Sequence, residues 1–173
     1  ENQIWSSQLK IFILRHGITG DAQTDAERDL TSKGREEVVK IVRLKLDELA
    51  DVKHIYSSSM IRVTNTLDIA SNLMKFEGER VVDKNLITGS RLTELKEFMA
   101  SVDSEGGDIM ISSHQSCTSI LVLLITGEDI LIPNGSLLCI EADEVAQGKG
   151  KILWQESASG AQVKRTEFFA DQI

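Results

Sequence analysis

Apolar residues along the chain follow two kinds of pattern, short continuous runs and repeats of three to four residues. Residues 9–14 (LKIFIL) form a short and almost wholly apolar run, which is typical of a strand buried on both faces. Residues 32–50 instead repeat at helical spacing and follow Thr31, which can cap a helix. The repeating residues are Val38, Val42, Leu46 and Leu49. The polar stretch 18–30 has neither period and predicts a loop between the strand and the helix.

The same two patterns continue along the rest of the chain. Residues 53–58 predict a second strand, and a helical repeat follows at 60–75. A linker that contains Val81 and Val82 then leads to a helix at 91–103. The remaining predicted elements are a strand at 108–113, an apolar helix at 116–127, and an antiparallel hairpin formed by 135–142 and 151–156. This order predicts an α/β sandwich with one mixed, mostly parallel sheet, in a single domain over 1–173.

Composition narrows the classes of function. The 173 residues carry a formal net charge of −8 and no long basic stripe, so we expect no nucleic-acid partner. No apolar run approaches the roughly 20 residues that span a bilayer, and residues 1–8 lack the layout of a signal peptide, so we expect a cytoplasmic protein without a membrane partner. Cys117 and Cys139 lie in apolar stretches and are predicted to be buried, reduced thiols.

Polar residues that suit phosphate chemistry follow three of the predicted strands. They are Arg15-His16 after the first strand, Ser57-Ser58 with Arg62 after the second, and His114 after the strand at 108–113. Because ligands bind beyond the carboxyl ends of parallel strands, these residues are expected to share one crevice. Arginine offers a planar fork to two phosphate oxygens. A neutral imidazole can attack phosphorus, so the pattern predicts a phosphoryl-transfer site.

Four sequence motifs resemble those of the histidine phosphatase superfamily and occur in the same order. They are IFILRHG, the LTSKG that ends the polar loop, SSSMIRVTNT and ISSH. Within that superfamily, the segments NLITGSRLTELKEFM, SHQSCTSILVLL and NGSLLCIEA are most similar to the SixA-type phosphohistidine phosphatases. The resemblance implies a three-layer, phosphoglycerate mutase-like α/β sandwich without a lid insertion. It also implies that His16 is the phosphorylated nucleophile and that Arg15, Arg62 and His114 bind the phosphoryl oxygens, without a metal or other cofactor.

The sequence departs from the wider superfamily at both positions that usually supply a general acid. The glutamate of the mutase-like members is replaced by Thr88, and the aspartate that follows the second histidine in the other branch is replaced by Gln115. An alkoxide leaves at high cost without a proton, whereas a protonated imidazole leaves a phosphoramidate easily. We therefore expect a phosphohistidine-bearing protein as substrate and partner, with Gln115 and Ser57 as additional substrate-binding candidates.

Other sources of an acid, and other functions, remain open at this point. Asp21, Asp25 and Glu27 in the loop and Glu94 in the third helix are candidate acids, of which Asp21 and Glu94 are preferred. With one of them as the acid, the chain would be a small-molecule phosphomonoesterase of the same fold. A catalytically inactive phosphoprotein-binding module is the third possibility. The oligomeric state is left undetermined.

Overall fold

A six-stranded mixed sheet forms the centre of the molecule in a computed structural model that describes residues 8–103, 105–158 and 160. The strands are β1 (Leu9–Arg15), β2 (Val52–Ser57), β3 (Glu79–Val82), β4 (Asp108–Ser113), β5 (Ser136–Ala142) and β6 (Gly150–Ser157). Their order across the sheet is β3-β2-β4-β1-β5-β6. Strands β1 to β4 pair in parallel, β5 pairs antiparallel with β1, and β6 pairs antiparallel with β5. The predicted fold class and the added hairpin are confirmed.

Helices cover both faces of the sheet. They are α1 (Ser32–Leu44), α2 (Ile61–Met74), α3 (Leu92–Ser101) and α4 (Cys117–Thr126), with short 3₁₀ turns at Asp25–Glu27 and Lys84–Leu86. Successive residues of β1 face opposite sides, so Ile11 and Ile13 pack with α3 and α4, and Phe12 and Leu14 pack with α1 and α2. In the described part of the chain, no further element is inserted between these strands and helices.

One predicted boundary and one predicted element were wrong. Helix α1 ends at Leu44 rather than at residue 50, and hydrogen-bonded turns continue to Val52. Leu49 is still buried. The turns that follow α1 keep nearly the same spacing of apolar residues as a helix does, so they turn Leu49 towards the core. The predicted linker at Val81 and Val82 is strand β3 at the edge of the sheet. Its four residues are partly or fully exposed, so they lack the apolar run of a central strand.

The polar stretch 18–30 has more order than its composition predicts. Thr19 and Leu30 form an isolated antiparallel bridge, and the 3₁₀ turn Asp25–Glu27 lies between them. Thr31 caps α1 as predicted, its Oγ1 accepting a hydrogen bond from the Gly34 amide at 2.9 Å. The stretch is therefore fixed at both of its ends.

Several sequence expectations concern the rest of the chain. Cys117 and Cys139 are free and buried, as predicted. Among the residues that the structure describes, no helix has the length and apolarity to cross a membrane. Residues 1–7, on which the signal-peptide argument was based, lie outside the described residues.

Candidate active site

The carboxyl ends of β1, β2 and β4 meet at one edge of the sheet, and the candidate site lies there. Arg15 ends β1 and His16 follows it, Arg62 is in the first turn of α2, and His114 follows β4. His16, Arg62 and His114 are 6%, 3% and 3% exposed, respectively. The ring centroids of the two histidines are 5.5 Å apart. The structure thus brings the predicted residues to one edge.

One tautomer of His16 is fixed by the adjacent backbone. Nδ1 lies 2.7 Å from the carbonyl oxygen of Gly17, and because a carbonyl only accepts hydrogen bonds, Nδ1 carries the proton. In the neutral ring, Nε2 is therefore unprotonated and has a free lone pair. Gly17 is itself anchored, since its amide donates to Thr66 Oγ1 at 3.1 Å. Nε2 is the atom of His16 that can act as a nucleophile.

Burial keeps both histidines neutral at pH 7. Burial lowers the pKa of His16 from 6.5 to about 4; the Gly17 hydrogen bond acts in the opposite direction, and the positive charge of Arg15 lowers the pKa further. Burial and the charge of Arg62 lower the pKa of His114 from 6.5 to about 3. His16 is therefore neutral over the whole neutral pH range, with its single ring proton on Nδ1.

His114 is oriented by a serine of the neighbouring strand end. Its Nε2 lies 2.8 Å from Ser58 Oγ, which also accepts a hydrogen bond from the Met60 amide at 3.2 Å. Within the described residues, the buried Nδ1 of His114 has no hydrogen-bond partner. One ring nitrogen is thus held by the protein, and the other is available to a ligand.

Arg62 is held by the polar loop and by the segment that precedes α3. Its Nη1 donates to the Asp25 carbonyl at 2.8 Å, and its Nη2 donates to Asp25 Oδ2 at 3.0 Å and to Thr88 Oγ1 at 3.2 Å. The Arg62 side chain is buried, whereas that of Asp25 is half exposed. The hydrogen bond from Arg62 holds the pKa of the Asp25 carboxyl below its usual value. Asp25 is therefore an anion at neutral pH.

Arg15 is held on the side of β1 opposite to Arg62. Its Nη1 donates to the carbonyl oxygen of Ile132 at 2.7 Å, in the segment before β5. Burial lowers the pKa of Arg15 to about 10, so the guanidinium remains charged at neutral pH. Among the described residues, its buried Nε has no hydrogen-bond partner. A charged donor without a partner is suited to an incoming anion.

Comparisons with known proteins support the fold. No family model matches the chain, and no curated protein matches it. The structure of the protein histidine phosphatase SixA complexed with tungstate has a TM-score of 0.77 and 21% identity, covering 87% of this chain and 98% of that chain. A phosphoglycerate mutase from Bacillus anthracis str. Sterne has a TM-score of 0.66 and 17% identity, covering 88% and 93%. A phosphoserine phosphatase from Entamoeba histolytica, in complex with 3-phosphoglyceric acid, has a TM-score of 0.60 and 15% identity, covering 86% and 97%.

The chain has the same fold as the SixA and phosphoglycerate mutase structures. This fold explains why residues distant in sequence share one edge, since each follows a strand or begins a helix there. The rings of His16 and His114 lie edge to face, and the positive charge of Arg62 lowers the pKa of both histidines. The roles that the resemblance implies for these residues remain predictions.

Ser57 and Gln115, the further substrate-binding candidates, make different contacts. Ser58, not its neighbour Ser57, contacts His114. Ser57 is buried at the end of β2, where its carbonyl accepts a hydrogen bond from the Asp83 amide at 2.9 Å. Gln115 directly follows His114, and its Nε2 donates to Ser119 Oγ at 3.0 Å. Substrate contact by Ser57 or Gln115 remains a prediction.

The candidate acids are not equally close to the site. Asp21 is exposed in the loop, and Glu94 accepts a hydrogen bond from the Arg91 amide at 3.1 Å, at the start of α3. Across the described parts of the chain, no hydrogen bond or ion pair joins either carboxylate to His16, Arg62 or His114. Asp25 is the loop carboxylate that reaches Arg62, and it was one of three loop candidates without a distinguishing sequence pattern.

Thr88, which aligns with the mutase glutamate, contacts Arg62. Its hydroxyl accepts a hydrogen bond from Arg62, but a hydroxyl is not an acid at neutral pH. Among the described residues, no group of three or more His, Cys, Asp or Glu side chains is arranged to hold a metal ion.

Proposed function

We propose that this protein is a phosphatase in which His16 Nε2 attacks phosphorus and is transiently phosphorylated. The observation that carries the proposal is the hydrogen bond from His16 Nδ1 to the Gly17 carbonyl, which leaves Nε2 unprotonated. Arginines on both sides, Arg15 and Arg62, supply positive charge where the phosphoryl oxygens would lie. This combination provides a nucleophile and electrostatic stabilisation of the transition state at the same edge.

The reaction has two steps. In the first, Nε2 of His16 forms a bond to phosphorus as the bond to the leaving group breaks, and the bonding electron pair departs with that group. In the second, water attacks phosphorus, the bond to Nε2 breaks, and inorganic phosphate leaves. Ser58 can donate to Nε2 of His114, so that the proton of the neutral His114 ring is on Nδ1 and is offered to a phosphoryl oxygen.

A phosphohistidine-bearing protein is the substrate that we propose. Two observations support it. First, Asp25 is an anion and Thr88 is not an acid, so the side chains that contact Arg62 offer no proton to an alkoxide. An imidazole does not require that proton if its ring is already protonated.

The second observation is a set of exposed apolar side chains on segments that lead to the edge where the site lies, namely Ile61, Val82, Ile87 and Leu131. These four side chains are between 37% and 57% exposed. Ile61 precedes Arg62, Ile87 precedes Thr88, and Leu131 precedes the Ile132 carbonyl that binds Arg15. Exposed apolar side chains beside a charged site favour a protein partner that covers them.

Trapping of the intermediate tests the proposal. The protein is mixed with a phosphotransfer domain that carries ³²P-phosphohistidine, quenched in alkali because phosphohistidine is labile to acid, and digested to locate the label. We expect label on His16 and release of inorganic phosphate. His16→Ala should show neither, and Arg62→Ala should lose about 100-fold or more in kcat, on the scale of a lost electrostatic donor. EDTA should have no effect.

The alternatives predict other outcomes of the same assay. Binding of the phosphoprotein without label or phosphate release would identify a binding module. Faster turnover of a sugar phosphate than of the phosphoprotein would identify a small-molecule phosphomonoesterase. Loss of activity with EDTA would contradict a metal-independent reaction.

A further inference from the structure

At the edge of the sheet where His16 lies, three adjacent strands each have, at or just beyond one end, a buried polar atom without a hydrogen-bond partner. The three atoms lie on one face of the sheet. In the described part of the chain these atoms are Gln115 Oε1, Arg15 Nε and Ser136 Oγ. Gln115 follows β4, Arg15 ends β1 and Ser136 begins β5, and these three strands are neighbours in the order β4-β1-β5. We call these three residues the polar row.

The pleat of the sheet places the polar row on the side of α3 and α4. Ile11 and Ile13 of β1 pack on that side, so Arg15, two residues further, faces the same way. Leu138 and Ile140 of β5 also pack there, which gives Ser136 the same direction. Gln115 is tied to this side by its Nε2, which donates to Ser119 Oγ of α4 at 3.0 Å. The polar row therefore lies across β1 from Arg62 and Asp25, on the other face.

The atoms of the polar row differ in what they can bind. Arg15 Nε is a donor and suits a phosphoryl oxygen. Gln115 Oε1 is an acceptor, so a phosphoryl oxygen, which is also an acceptor, cannot satisfy it. A buried acceptor left without a donor is unfavourable. A ligand that satisfies Gln115 Oε1 carries an N–H or O–H group.

We propose that Gln115 Oε1 accepts a hydrogen bond from the leaving imidazole of a phosphohistidine substrate, at the ring nitrogen that is not phosphorylated. This inference rests on the proposed function. That nitrogen carries a proton only when the substrate ring is protonated, and its lone pair would repel Oε1 otherwise. Gln115 thereby selects the protonated ring and takes the place of the missing general acid.

The step is balanced without a proton donor from the protein. The bond between phosphorus and the substrate nitrogen breaks, and its electron pair returns to the imidazole ring. The bond between phosphorus and His16 Nε2 forms. The proton stays on the far ring nitrogen throughout, hydrogen-bonded to Gln115, so the group that leaves is neutral imidazole and not imidazolate.

Substitution of Gln115 tests this inference by comparing two substrates. Gln115→Met keeps the length of the side chain and removes the acceptor. We expect kcat/KM for a phosphohistidine-bearing protein to fall at least about tenfold, as for a lost hydrogen bond to a charged group. With p-nitrophenyl phosphate, whose leaving group has no N–H and departs without protonation, kcat/KM should stay within about twofold. Retained turnover of this ester also shows that the variant is folded.

Two further variants serve as controls. Gln155→Met makes the same change in β6, away from the site, and should affect neither substrate. Ser136→Ala removes a hydroxyl from the other end of the polar row and should leave the ratio of the two kcat/KM values unchanged.

The possible failures can be told apart. An equal loss on both substrates in Gln115→Met, or no loss on phosphohistidine, would overturn the role of Gln115 while leaving the proposed function intact. A wild-type protein that neither hydrolyses phosphohistidine nor labels His16 would instead refute the proposed function itself.

Discussion

At the scale of single residues, the pairing of Arg62 with Asp25 has a direct effect on ligand binding. Both terminal nitrogens of Arg62 donate hydrogen bonds to Asp25, Nη1 to its carbonyl oxygen and Nη2 to its carboxylate. Nη2 also donates a hydrogen bond to the Thr88 hydroxyl. A phosphoryl group that binds the same edge of the guanidinium must displace a carboxylate of the protein. Asp25 is therefore a competitor for the ligand.

Removal of the Asp25 charge should strengthen anion binding. In Asp25→Asn we expect the affinity for inorganic phosphate, measured by calorimetry, to rise about two- to fivefold, the range expected for a half-exposed ion pair. Asp21→Asn is the matched control, because it removes an exposed carboxylate from the same loop. Weaker binding by Asp25→Asn would show that Asp25 orients Arg62 for the ligand and does not compete with it.

The positions of the main candidate residues could be predicted from the sequence better than the positions of their neighbours. His16, Arg62 and His114 could be located because each follows a strand or begins a helix at one edge. Ser57 and Ser58 could not be told apart, since a shift of one residue reverses the face to which a side chain points. In the loop, Asp21 and Asp25 have no periodic pattern, so only the folded loop shows which carboxylate meets Arg62.

At the scale of elements, the start of α1 packs tightly against the chain that leaves β1. A Cβ atom on Gly17 would lie 2.8 Å from the carbonyl oxygen of Gly34, and a Cβ on Gly34 would overlap the carbonyl oxygen of Ile18. Because these contacts are with backbone atoms, no side-chain rotation can relieve them. The two glycines permit the contact that fixes His16 beside α1.

Alanine at position 34 should therefore disturb this contact. We expect Gly34→Ala to lower the free energy of unfolding by about 1–3 kcal/mol, as for overpacking of a dense interior, measured by urea denaturation. Gly20→Ala is the control, since its Cβ would meet only Thr31 Cγ2 at 3.8 Å, an ordinary contact. Equal stability of the two variants would mean that α1 moves away at little cost.

Elements with a strong apolar pattern could be predicted from the sequence, whereas elements with a weak pattern could not. The central strands β1 and β4 contain continuous apolar runs, at residues 11–14 and 109–111, because both of their faces are covered. Strand β3 lies at an edge and buries little, so its residues resemble a linker. The end of α1 was missed because turns after Leu44 keep the helical spacing that buries Leu49.

At the scale of the whole molecule, the two buried histidines make stability depend on pH. In the unfolded chain their pKa is near 6.5, whereas the folded protein has values of about 4 for His16 and about 3 for His114. Between these values the unfolded state binds more protons than the folded state. The free energy of unfolding must therefore fall as the pH decreases below 6.5, and this loss continues until the folded pKa values are reached.

Urea denaturation at pH 7, 6 and 5 in a buffer free of phosphate checks this expectation. We expect each histidine to contribute a decrease of about 1 kcal/mol per pH unit below pH 6. His114→Gln, which cannot be protonated, should show a clearly smaller decrease than the wild type. If the two proteins showed the same dependence on pH, other groups would be responsible for it.

The position of β1 between β4 and β5 also determines at which stage of folding His16 reaches its final position. β1 is the first strand among the described residues, yet its two partners begin only at Asp108 and Ser136. Contacts between such distant segments form late, because closing a long loop costs entropy before any pairing compensates for it. As the chain leaves the ribosome, more than a hundred residues must therefore follow His16 before its strand is enclosed. Enzymatic activity should therefore appear only when the central sheet is complete. An N-terminal fragment that ends before β4 should have no activity.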